Sequence, residues 1–437
     1  MRESFEPREV ECLELNGWDY DRGVLVHRYT LGTVAFEERY VFPHADRFDA
    51  NEGFERACNV LHVAASTSYY KAAAPGTVTG IPGWLSRFTE ELFLYGLAEF
   101  AMTNGLEPIR PGFELREPVN LGQDTDEGNR GRGTDSGAPA VVAVGGGKDS
   151  IVTIESMKRA GMPLVLGSVR THRAIDETAV LAGVEHLVVD RIIDPKLLNL
   201  NEIGALNGHV PVTAINSAAL AALSIGLGYS AVIMSNEASA SVPLAQYRGI
   251  AVNHQWSKSL DCERLLSEYL PVPYFSLLRP LHEVEICRRF AGLPRYFDTV
   301  TSCNRAYTAA GRASGMRWCG DCPKCRFVFL GLAPFLSPET MQRIVGLDLL
   351  ADASAAAADA YRAILGISGE PPMECIGTVD ESNWAMARLA QDPRWGNHAV
   401  VQALASEVPV NPTWDPLSER SEDRIPDEWR KAADALS

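Results

Sequence analysis

The first stretch that could do chemistry is a glycine-rich hexad that follows a short apolar run: Gly145, Gly146, Gly147, Lys148, Asp149 and Ser150. A glycine turn that leads into a helix exposes backbone N–H groups and the positive end of the helix dipole, which attract phosphate. The hexad is not a Walker A loop, because Asp149 follows the lysine, and it meets Ser150 where the dinucleotide fingerprint needs a third glycine. A strand–helix joint without a ligand is the alternative.

Four cysteines form the second chemical pattern: Cys303, Cys319, Cys322 and Cys325. The C-x-x-C-x-x-C spacing with a fourth cysteine upstream suits tetrahedral thiolate coordination, and Gly320 and Pro323 supply the turns. Four thiolates leave no open position, so we predict a structural zinc ion. Free buried cysteines and a redox or iron–sulfur role are the alternatives. The remaining cysteines are predicted to be ordinary thiols: Cys12, Cys58, Cys262, Cys287 and Cys375.

Polar residues follow two further apolar runs, namely Arg170, His172 and Arg173 after one, and Ser235, Asn236 and Glu237 after the other. Ligands bind beyond the carboxyl ends of parallel strands, so both groups are candidates for a site. The polar stretch 252–259 adds His254 and Lys258, and His209 precedes a predicted helix. Each residue alone is more often structural than catalytic, but their shared placement favours a site.

The segment from Arg279 to Arg326 is locally basic, with eight arginines and one lysine against four acidic residues. It could cradle a highly anionic ligand. Arginines that face water or pair with carboxylates are the alternative.

The elements that must position these residues follow two patterns. In the N-terminal part, three alternating segments around the turn-rich stretch 16–23 predict an antiparallel meander, followed by helices from about 54 to 106. Beyond residue 140, short apolar strands alternate with helices predicted at 150–160 and 211–228, which indicates an α/β fold with a parallel sheet and helices on both faces. The predicted strands are 140–144, 163–169, 186–192 and 231–235.

These patterns divide the chain into five parts. We expect an N-terminal α+β domain that covers the substrate, a Gly/Asp-rich linker, an α/β domain that carries the glycine hexad, a zinc segment with the four cysteines, and a C-terminal helical segment with a tail. Their bounds are 1–120, 121–139, 140–300, 301–335 and 336–437.

Composition narrows the class of protein. The chain has 437 residues, 46% hydrophobic and 22% charged, as in ordinary globular proteins. A net charge of −16 argues against nucleic-acid binding through a global positive field. The acidic N-terminus predicts no secretory signal, and the apolar run 214–228 is too short to span a bilayer. Nine cysteines without an export signal predict reduced thiols in the cytoplasm.

The hexad resembles the SGGxDS loop of the PP-loop ATP pyrophosphatases, with Gly145 where that family has serine. The resemblance implies that part 140–300 is an ATP-binding domain with a doubly wound, HUP-like fold. Enzymes of this family cleave ATP between its α and β phosphates and transfer AMP to a substrate. It also implies that pyrophosphate is held by Gly146, Gly147, Lys148 and Ser150, with Asp149 near a magnesium ion. A similar four-cysteine zinc site follows the ATP domain in the PP-loop enzymes that make 7-cyano-7-deazaguanine. Further ATP contacts are expected from Gly145, Arg170, Ser235 and Asn236.

Seven stretches together resemble the MurL family of UDP-N-acetyl-α-D-muramoyl-L-alanyl-L-glutamate epimerases: GGGKDS, SVRTHRAIDETA, GHVPVTAINS, MSNEASAS, NHQWSKS, RPLHEVEI and WCGDCPKCRF. The resemblance implies an isomerase of peptidoglycan precursor synthesis, and so of cell wall biogenesis and cell shape. It would invert the terminal L-glutamate of a UDP-MurNAc-dipeptide with ATP and magnesium, releasing AMP and diphosphate. The acid/base candidates are His254, Lys258, Glu237 and His209.

Other functions stay open at this point. A PP-loop amide or nitrile ligase of the 7-cyano-7-deazaguanine synthase type would give net ligation with ammonia. A tRNA-thiolating enzyme should carry a more basic surface than −16 allows. A nucleotide-sensing module is disfavoured by the Lys148–Asp149 pair and the cysteine cluster.

Overall fold

The computed structural model describes residues 5–116, 137–369, 371–408 and 414–436. The strands in these ranges are β1 Cys12–Asp21, β2 Val24–Leu31, β3 Val34–Val41, β4 Thr77–Pro82, β5 Gly112–Arg116, β6 Ala140–Ala143, β7 Leu164–Val169, β8 His186–Ile192, β9 Val232–Met234, β10 Ala245–Tyr247, β11 Ile250–Val252 and β12 Tyr274–Ser276.

The helices in the same ranges are α1 Glu52–Tyr70, α2 Ser86–Gly96, α3 Ala98–Thr103, α4 Lys148–Arg159, α5 Arg173–Ala182, α6 Pro195–Glu202, α7 Val212–Gly226, α8 Leu260–Tyr269, α9 Glu283–Ala291, α10 Ala309–Ser314, α11 Pro323–Leu332, α12 Pro338–Val345, α13 Ala355–Ile364, α14 Val379–Gln391, α15 Ala399–Leu404 and α16 Arg430–Ala433. None of the helices in the described ranges is both long and apolar enough to cross a membrane.

Ten of these strands form one mixed sheet, in the order β12-β9-β6-β7-β8-β3-β2-β1-β4-β5. The first five run parallel to one another, as do β1, β4 and β5. The strands β8, β3, β2 and β1 pair antiparallel. Most strand pairs of the sheet are therefore parallel. The predicted meander, β1 to β3, lies between β8 and β4 in the same sheet.

Helices cover both faces of the parallel half. Val141 points to the face packed by α1 and α7, whereas Ala140 and Val142 point to the face packed by α4, α5 and α16. This alternation buries both faces of β6, which explains why the strand reads as an unbroken apolar run.

A buried ion pair joins the meander to the parallel strands. Arg191 on β8 donates through Nε to Glu38 on β3 at 2.7 Å, and through Nη2 to Ser68 at 3.1 Å. Tyr40 donates to the same Glu38 oxygen at 2.5 Å. A buried charge needs such partners, so these contacts fix the junction at which the sheet changes from parallel to antiparallel pairing.

Most of the predicted elements are confirmed, with two corrections. The region from about 54 to 106, predicted to be helical, also contains the strand β4 Thr77–Pro82, which pairs with β1 and β5. The sequence predicts a turn over 16–23, but β1 continues to Asp21, and only Arg22 and Gly23 turn the chain. Gly17, with φ of +86°, sits in a bulge between Leu15 and Trp18, so the strand absorbs its turn-forming residues. Residues 121–136 of the predicted linker lie outside the described residues, and the division into five parts stays a prediction.

Candidate functional site

The glycine hexad forms a tight turn between β6 and α4. Gly146 has φ of +73°, and a Cβ there would lie 2.8 Å from the backbone carbon of Ala174, so only glycine fits. The Ser150 hydroxyl donates to the Gly147 carbonyl at 3.0 Å and accepts from the Gly145 N–H at 3.3 Å. The N-cap residue of α4 is Gly147, which has no side chain to cap the first turn. This uncapped helix N-terminus suits an anionic ligand.

Two lysines and three carboxylates lie at the base of this turn. The fully buried Lys148 ammonium contacts Asp149 and Glu283, and Lys324 on α11 donates to Glu283 at 3.1 Å. Glu237 completes the group: one carboxylate oxygen from each of Asp149, Glu237 and Glu283 lies within 4.8 Å of the others. We call these five residues the loop cluster.

The two glutamates of the loop cluster differ in charge state. Burial alone would raise the pKa of Glu283, but Lys148 and Lys324 bring it down to about 2. Burial, reinforced by Glu283 and Asp149, raises the pKa of Glu237 to about 7. Glu283 is thus an anion at neutral pH, whereas Glu237 exchanges a proton there, as an acid/base group must.

A Glu237→Gln substitution should stabilise the protein at alkaline pH. The pKa of Glu237 is raised from 4.5 to about 7 on folding, so its protonated form stabilises the fold at low pH and that contribution is lost as the pH rises through 7. The variant should therefore gain about 2 kcal/mol in free energy of unfolding relative to the wild type between about pH 5 and about pH 8. Urea denaturation at both pH values measures this, and a difference that does not change with pH would contradict it.

A second group of titratable side chains adjoins the loop cluster. His254 Nδ1 lies 2.7 Å from Glu99 on α3, and the His209 ring lies 4.6 Å from the His254 ring. Cys375 adjoins this pair and helps to raise the pKa values of both His254 and Lys258. We call Glu99, His209, His254, Lys258 and Cys375 the thiol cluster.

Electrostatics link the members of the thiol cluster. Burial alone would raise the pKa of Cys375, but Lys258 and His254 bring it down to about 6. Burial opposes protonation of His254, yet Cys375 and Glu99 raise its pKa to about 10. Burial and the neighbouring His254 lower the pKa of His209 to about 4. A thiolate, an imidazolium and a neutral imidazole therefore lie side by side at neutral pH.

Arg279 holds the two clusters together. It is buried, pairs with Glu263 at 2.8 Å, and donates to the carbonyl oxygens of Glu237 at 2.6 Å and Lys258 at 2.7 Å. Gln255 donates to the Ile376 carbonyl at 3.1 Å and so fixes the segment that carries Cys375. Glu237 and Asp149 both help to raise the pKa of Lys258, second to Cys375, which places this ammonium between the clusters.

The remaining predicted ligand residues lie at the same carboxyl edge of the sheet. Arg170, at the end of β7, has φ of +65° and donates to the Arg191 carbonyl at 2.7 Å. Ser235 Oγ and Asn236 Nδ2, after β9, are buried atoms with no hydrogen-bond partner among the described residues. Buried polar atoms without partners are costly, so these two fit a site that a ligand completes.

His172 and Arg173 lie beside the hexad, in a cavity of about 140 Å³ that Arg312 and Arg317 also line. In the basic segment as a whole, most arginine side chains are paired with carboxylates. Seven of its eight arginines form ion pairs with carboxylates, and Arg312 donates to the Tyr307 carbonyl at 2.8 Å. Most arginines of the basic segment are therefore paired with carboxylates, as the alternative interpretation predicts. The cavity is the concave part of this segment's surface.

The four predicted cysteine ligands converge. The Sγ atoms of Cys303, Cys319, Cys322 and Cys325 all lie within 4.8 Å of one another, and Cys319 and Cys325 are 3.7 Å apart. Tetrahedral coordination with Zn–S bonds of about 2.3 Å separates two sulfurs by about 3.8 Å. Backbone N–H groups also donate to two sulfurs: Cys322 N to Cys319 at 3.3 Å and Cys325 N to Cys322 at 3.4 Å. The cluster could therefore hold zinc.

Sequence reasoning missed four residues of the two clusters: Glu99, Glu283, Lys324 and Cys375. In the sequence, Glu283 and Lys324 stand out only as charges in the basic segment. Their one available signal is a charged residue within the first turn of a helix that is otherwise largely buried. Cys375, predicted to be an ordinary thiol, is half-buried, and the nearby Lys258 and His254 lower its pKa against the effect of burial.

Comparison with known proteins shows the family of this chain. Residues 4–277 match the MurL N-terminal domain and residues 299–418 match the MurL C-terminal domain. The UDP-N-acetyl-alpha-D-muramoyl-L-alanyl-L-glutamate epimerase of Salinispora tropica is 44% identical over 81% of this chain and 77% of its own length. The protein of the same name from a Micromonospora species is 43% identical over 81% and 79%.

A more distant likeness is to the 7-cyano-7-deazaguanine synthase of Xanthomonas axonopodis, 27% identical over 46% of this chain and 95% of the synthase. No solved structure matches the chain. The two family matches cover most of the sequence, including the hexad, both predicted acid/base histidines and the four clustered cysteines. The chain therefore belongs to the MurL family of epimerases.

Proposed function

We propose that this protein inverts the terminal L-glutamate of UDP-MurNAc-L-Ala-L-Glu to D-glutamate, through ATP-dependent adenylation of the α-carboxylate. The name of the relatives supports the substrate and the inversion. The hexad and the likeness to 7-cyano-7-deazaguanine synthase support the use of ATP. The synthase likeness reaches less than half of this chain, so a ligase function is not favoured.

Adenylation solves a problem of acidity. The α-hydrogen beside a free carboxylate is a very weak acid, because its removal would place a second negative charge next to the first. Transfer of AMP to the carboxylate neutralises it and leaves a carbonyl that accepts the electron pair. After a proton returns to the other face, water cleaves the acyl-adenylate. The protein must therefore stabilise an enolate oxygen and hold an acid/base pair at the α-carbon.

The hexad would bind the phosphates. Gly146, Gly147 and Ser150 surround the uncapped N-terminus of α4, and Lys148 is fixed below it by two carboxylates. Asp149 would hold a magnesium ion, because the carboxylate oxygens of the loop cluster are the ligands that this hard cation prefers. When bound, the metal would neutralise charge on the phosphates. Arg170, Ser235 and Asn236 would contact the nucleotide at the sheet edge.

One observation carries the proposal: the loop cluster and the thiol cluster are continuous. Asp149 lies within 4.8 Å of Glu237 when their nearest carboxylate oxygens are compared, and the buried Arg279 donates to the carbonyl oxygens of both Glu237 and Lys258, at 2.6 and 2.7 Å. An acid group adenylated at the hexad would thus have proton-exchanging side chains within reach, which a simple ATP sensor does not need. The cavity lined by Arg312 and Arg317 would take an anionic part of the substrate, such as its diphosphate.

Incubation with ATP, magnesium and UDP-MurNAc-L-Ala-L-Glu in deuterated water tests the proposal. We expect AMP and diphosphate to be released, with deuterium at the α-carbon of D-glutamate, because the proton that returns comes from solvent-exchanged groups. Mass spectrometry of the nucleotides and of the intact product measures AMP release and deuterium, and chiral analysis of the terminal glutamate after acid hydrolysis of the product measures inversion. A stable amide product formed with ammonia, or ATP binding without turnover, would contradict it.

A further inference from the structure

The residues around Cys303, the first member of the four-cysteine cluster, hold the backbone of the glycine hexad. The Tyr307 hydroxyl donates to the Gly145 carbonyl at 2.6 Å. The Thr301 N–H donates to the Gly146 carbonyl at 3.0 Å. Two consecutive carbonyl groups of the hexad are therefore held by a segment that is far away in sequence and carries a predicted zinc ligand.

Holding a carbonyl group also orients the N–H group that shares its peptide plane. In a trans peptide, the C=O of one residue and the N–H of the next point in opposite directions, and the described residues contain no cis peptide. The two bonds therefore turn the N–H groups of Gly146 and Gly147 away from the segment that holds the carbonyls. Within the described ranges, neither N–H group has a hydrogen-bond acceptor. Two unused N–H groups at a helix N-terminus suit phosphate oxygens.

The Tyr307 ring makes a second contact at the same site. Its centroid lies 4.3 Å from that of the His172 ring, which lines the cavity beside the hexad. We call residues 304–318, which connect the first two cysteines of the cluster, the cysteine loop. Near the end of this loop, Arg317 pairs with Glu177 on α5 at 2.5 Å. The cysteine loop is thus fixed to the hexad and to α5, and each of its ends continues into a cysteine of the cluster.

We propose that Tyr307 is a positioning residue of the nucleotide site, which ties the hexad to the cysteine loop. This inference rests on the proposed use of ATP and adds a residue that lies outside the hexad motif. The Tyr307 hydroxyl keeps the Gly145 carbonyl oxygen away from the phosphates, which would repel it, and keeps the Gly146 N–H aimed at them. Because Cys303 lies between Thr301 and Tyr307, the cysteine cluster fixes the position from which both residues act.

Tyr307→Phe tests the role of the hydroxyl, because it removes one hydrogen-bond donor and keeps the ring beside His172. We expect the Kd for α,β-methylene-ATP with magnesium to rise about fivefold, and the Kd for inorganic diphosphate to rise equally. This analogue cannot be cleaved between its α and β phosphates. The Kd for AMP, which lacks the β and γ phosphates, should stay within about twofold of wild type. Isothermal titration calorimetry measures all three.

Tyr247→Phe is the matched control, since the Tyr247 hydroxyl also donates to a backbone carbonyl, that of Leu106, at 3.0 Å. It should bind all three ligands as the wild type does. A Tyr307→Phe protein that binds the analogue and diphosphate with wild-type affinity would overturn the inference. Equal weakening of AMP and diphosphate, with a melting temperature below that of Tyr247→Phe, would show a merely structural role and would overturn it too.

A second measurement tests the link to the cysteine cluster without turnover. If Tyr307 connects the hexad to the cysteine loop, bound nucleotide should in turn favour the metal-binding arrangement, because coupling between two sites is reciprocal. In the wild type we expect saturating α,β-methylene-ATP to raise the apparent zinc affinity about fivefold, measured by competition with a zinc-selective chelator. Tyr307→Phe should show a smaller rise. An apparent zinc affinity that does not respond to the nucleotide in the wild type would overturn the link.

Failure of the proposed function looks different. If the wild type binds neither α,β-methylene-ATP nor diphosphate, the use of ATP is itself wrong, whatever Tyr307 does. If the wild type and Tyr307→Phe bind both ligands equally well, the use of ATP stands and only the assignment of Tyr307 falls.

Discussion

Replacement of Lys148 by methionine should reduce epimerisation by about 10³-fold or more. The ammonium is fully buried at the N-terminus of α4 and contacts both Asp149 and Glu283, so it is pre-oriented to bind phosphate. Methionine fills a similar volume but carries no charge. The rate of AMP release and of D-glutamate formation measures the effect. Lys158→Met, at the far end of the same helix, is the matched control and should retain activity.

The same substitution should also destabilise the fold, since Glu283 loses one of its two cationic partners. Removing one member of a buried pair costs about 3 to 5 kcal/mol, and Lys324 at 3.1 Å should limit the loss to the lower end of that range. The double variant Lys148→Met with Glu283→Gln removes the buried carboxylate as well, so it should regain stability but not activity. Recovery of epimerisation in the double variant would show that Lys148 is structural.

Replacement of Cys325 by serine should remove bound zinc and unfold the C-terminal core. We expect about one zinc per chain in the wild type, because the spacing of the four sulfurs matches tetrahedral coordination. Structural zinc contributes about 10 kcal/mol or more to folding in small domains, and α11, which begins between two of the ligands, packs against α9 and α14. Activity should be lost too, because α11 also carries Lys324.

Metal analysis by mass spectrometry and thermal denaturation measure this effect. Cys287→Ala removes another buried thiol of the same core and should keep its zinc, although it leaves a cavity. A wild-type protein without zinc, or a Cys325→Ser variant that retains it with an unchanged melting temperature, would contradict the zinc assignment.

The features of the structure that could be predicted from the sequence are local. The hexad and the C-x-x-C-x-x-C motif place their residues within a few positions of one another, so the sequence alone shows that they meet. Strands of the parallel half were recognisable because both faces are buried and the strands are continuously apolar. The carboxyl-edge rule then placed Arg170, Ser235 and Asn236 together without any further information.

The contacts that could not be predicted join distant residues. Glu99 is 155 positions from its partner His254, and Cys375 lies in a segment without helical or strand periodicity. The pairing of β8 with β3 is accompanied by a buried contact between Arg191 and Glu38, whereas charged residues in a strand usually indicate a solvent-facing side. Hydrophobic periodicity indicates which face of a single helix or strand is buried, but it does not indicate which other element that face contacts.

Adenylation is the central claim: AMP is attached to the α-carboxylate, which makes the neighbouring C–H bond acidic enough to break. The most direct measurement uses substrate whose terminal α-carboxylate carries ¹⁸O in both oxygens. If water cleaves the acyl-adenylate at its carbonyl carbon, the bridging oxygen leaves with the nucleotide, and mass spectrometry should find one ¹⁸O atom in each AMP released. Unlabelled AMP, formed while inversion continues at its normal rate, would contradict the account.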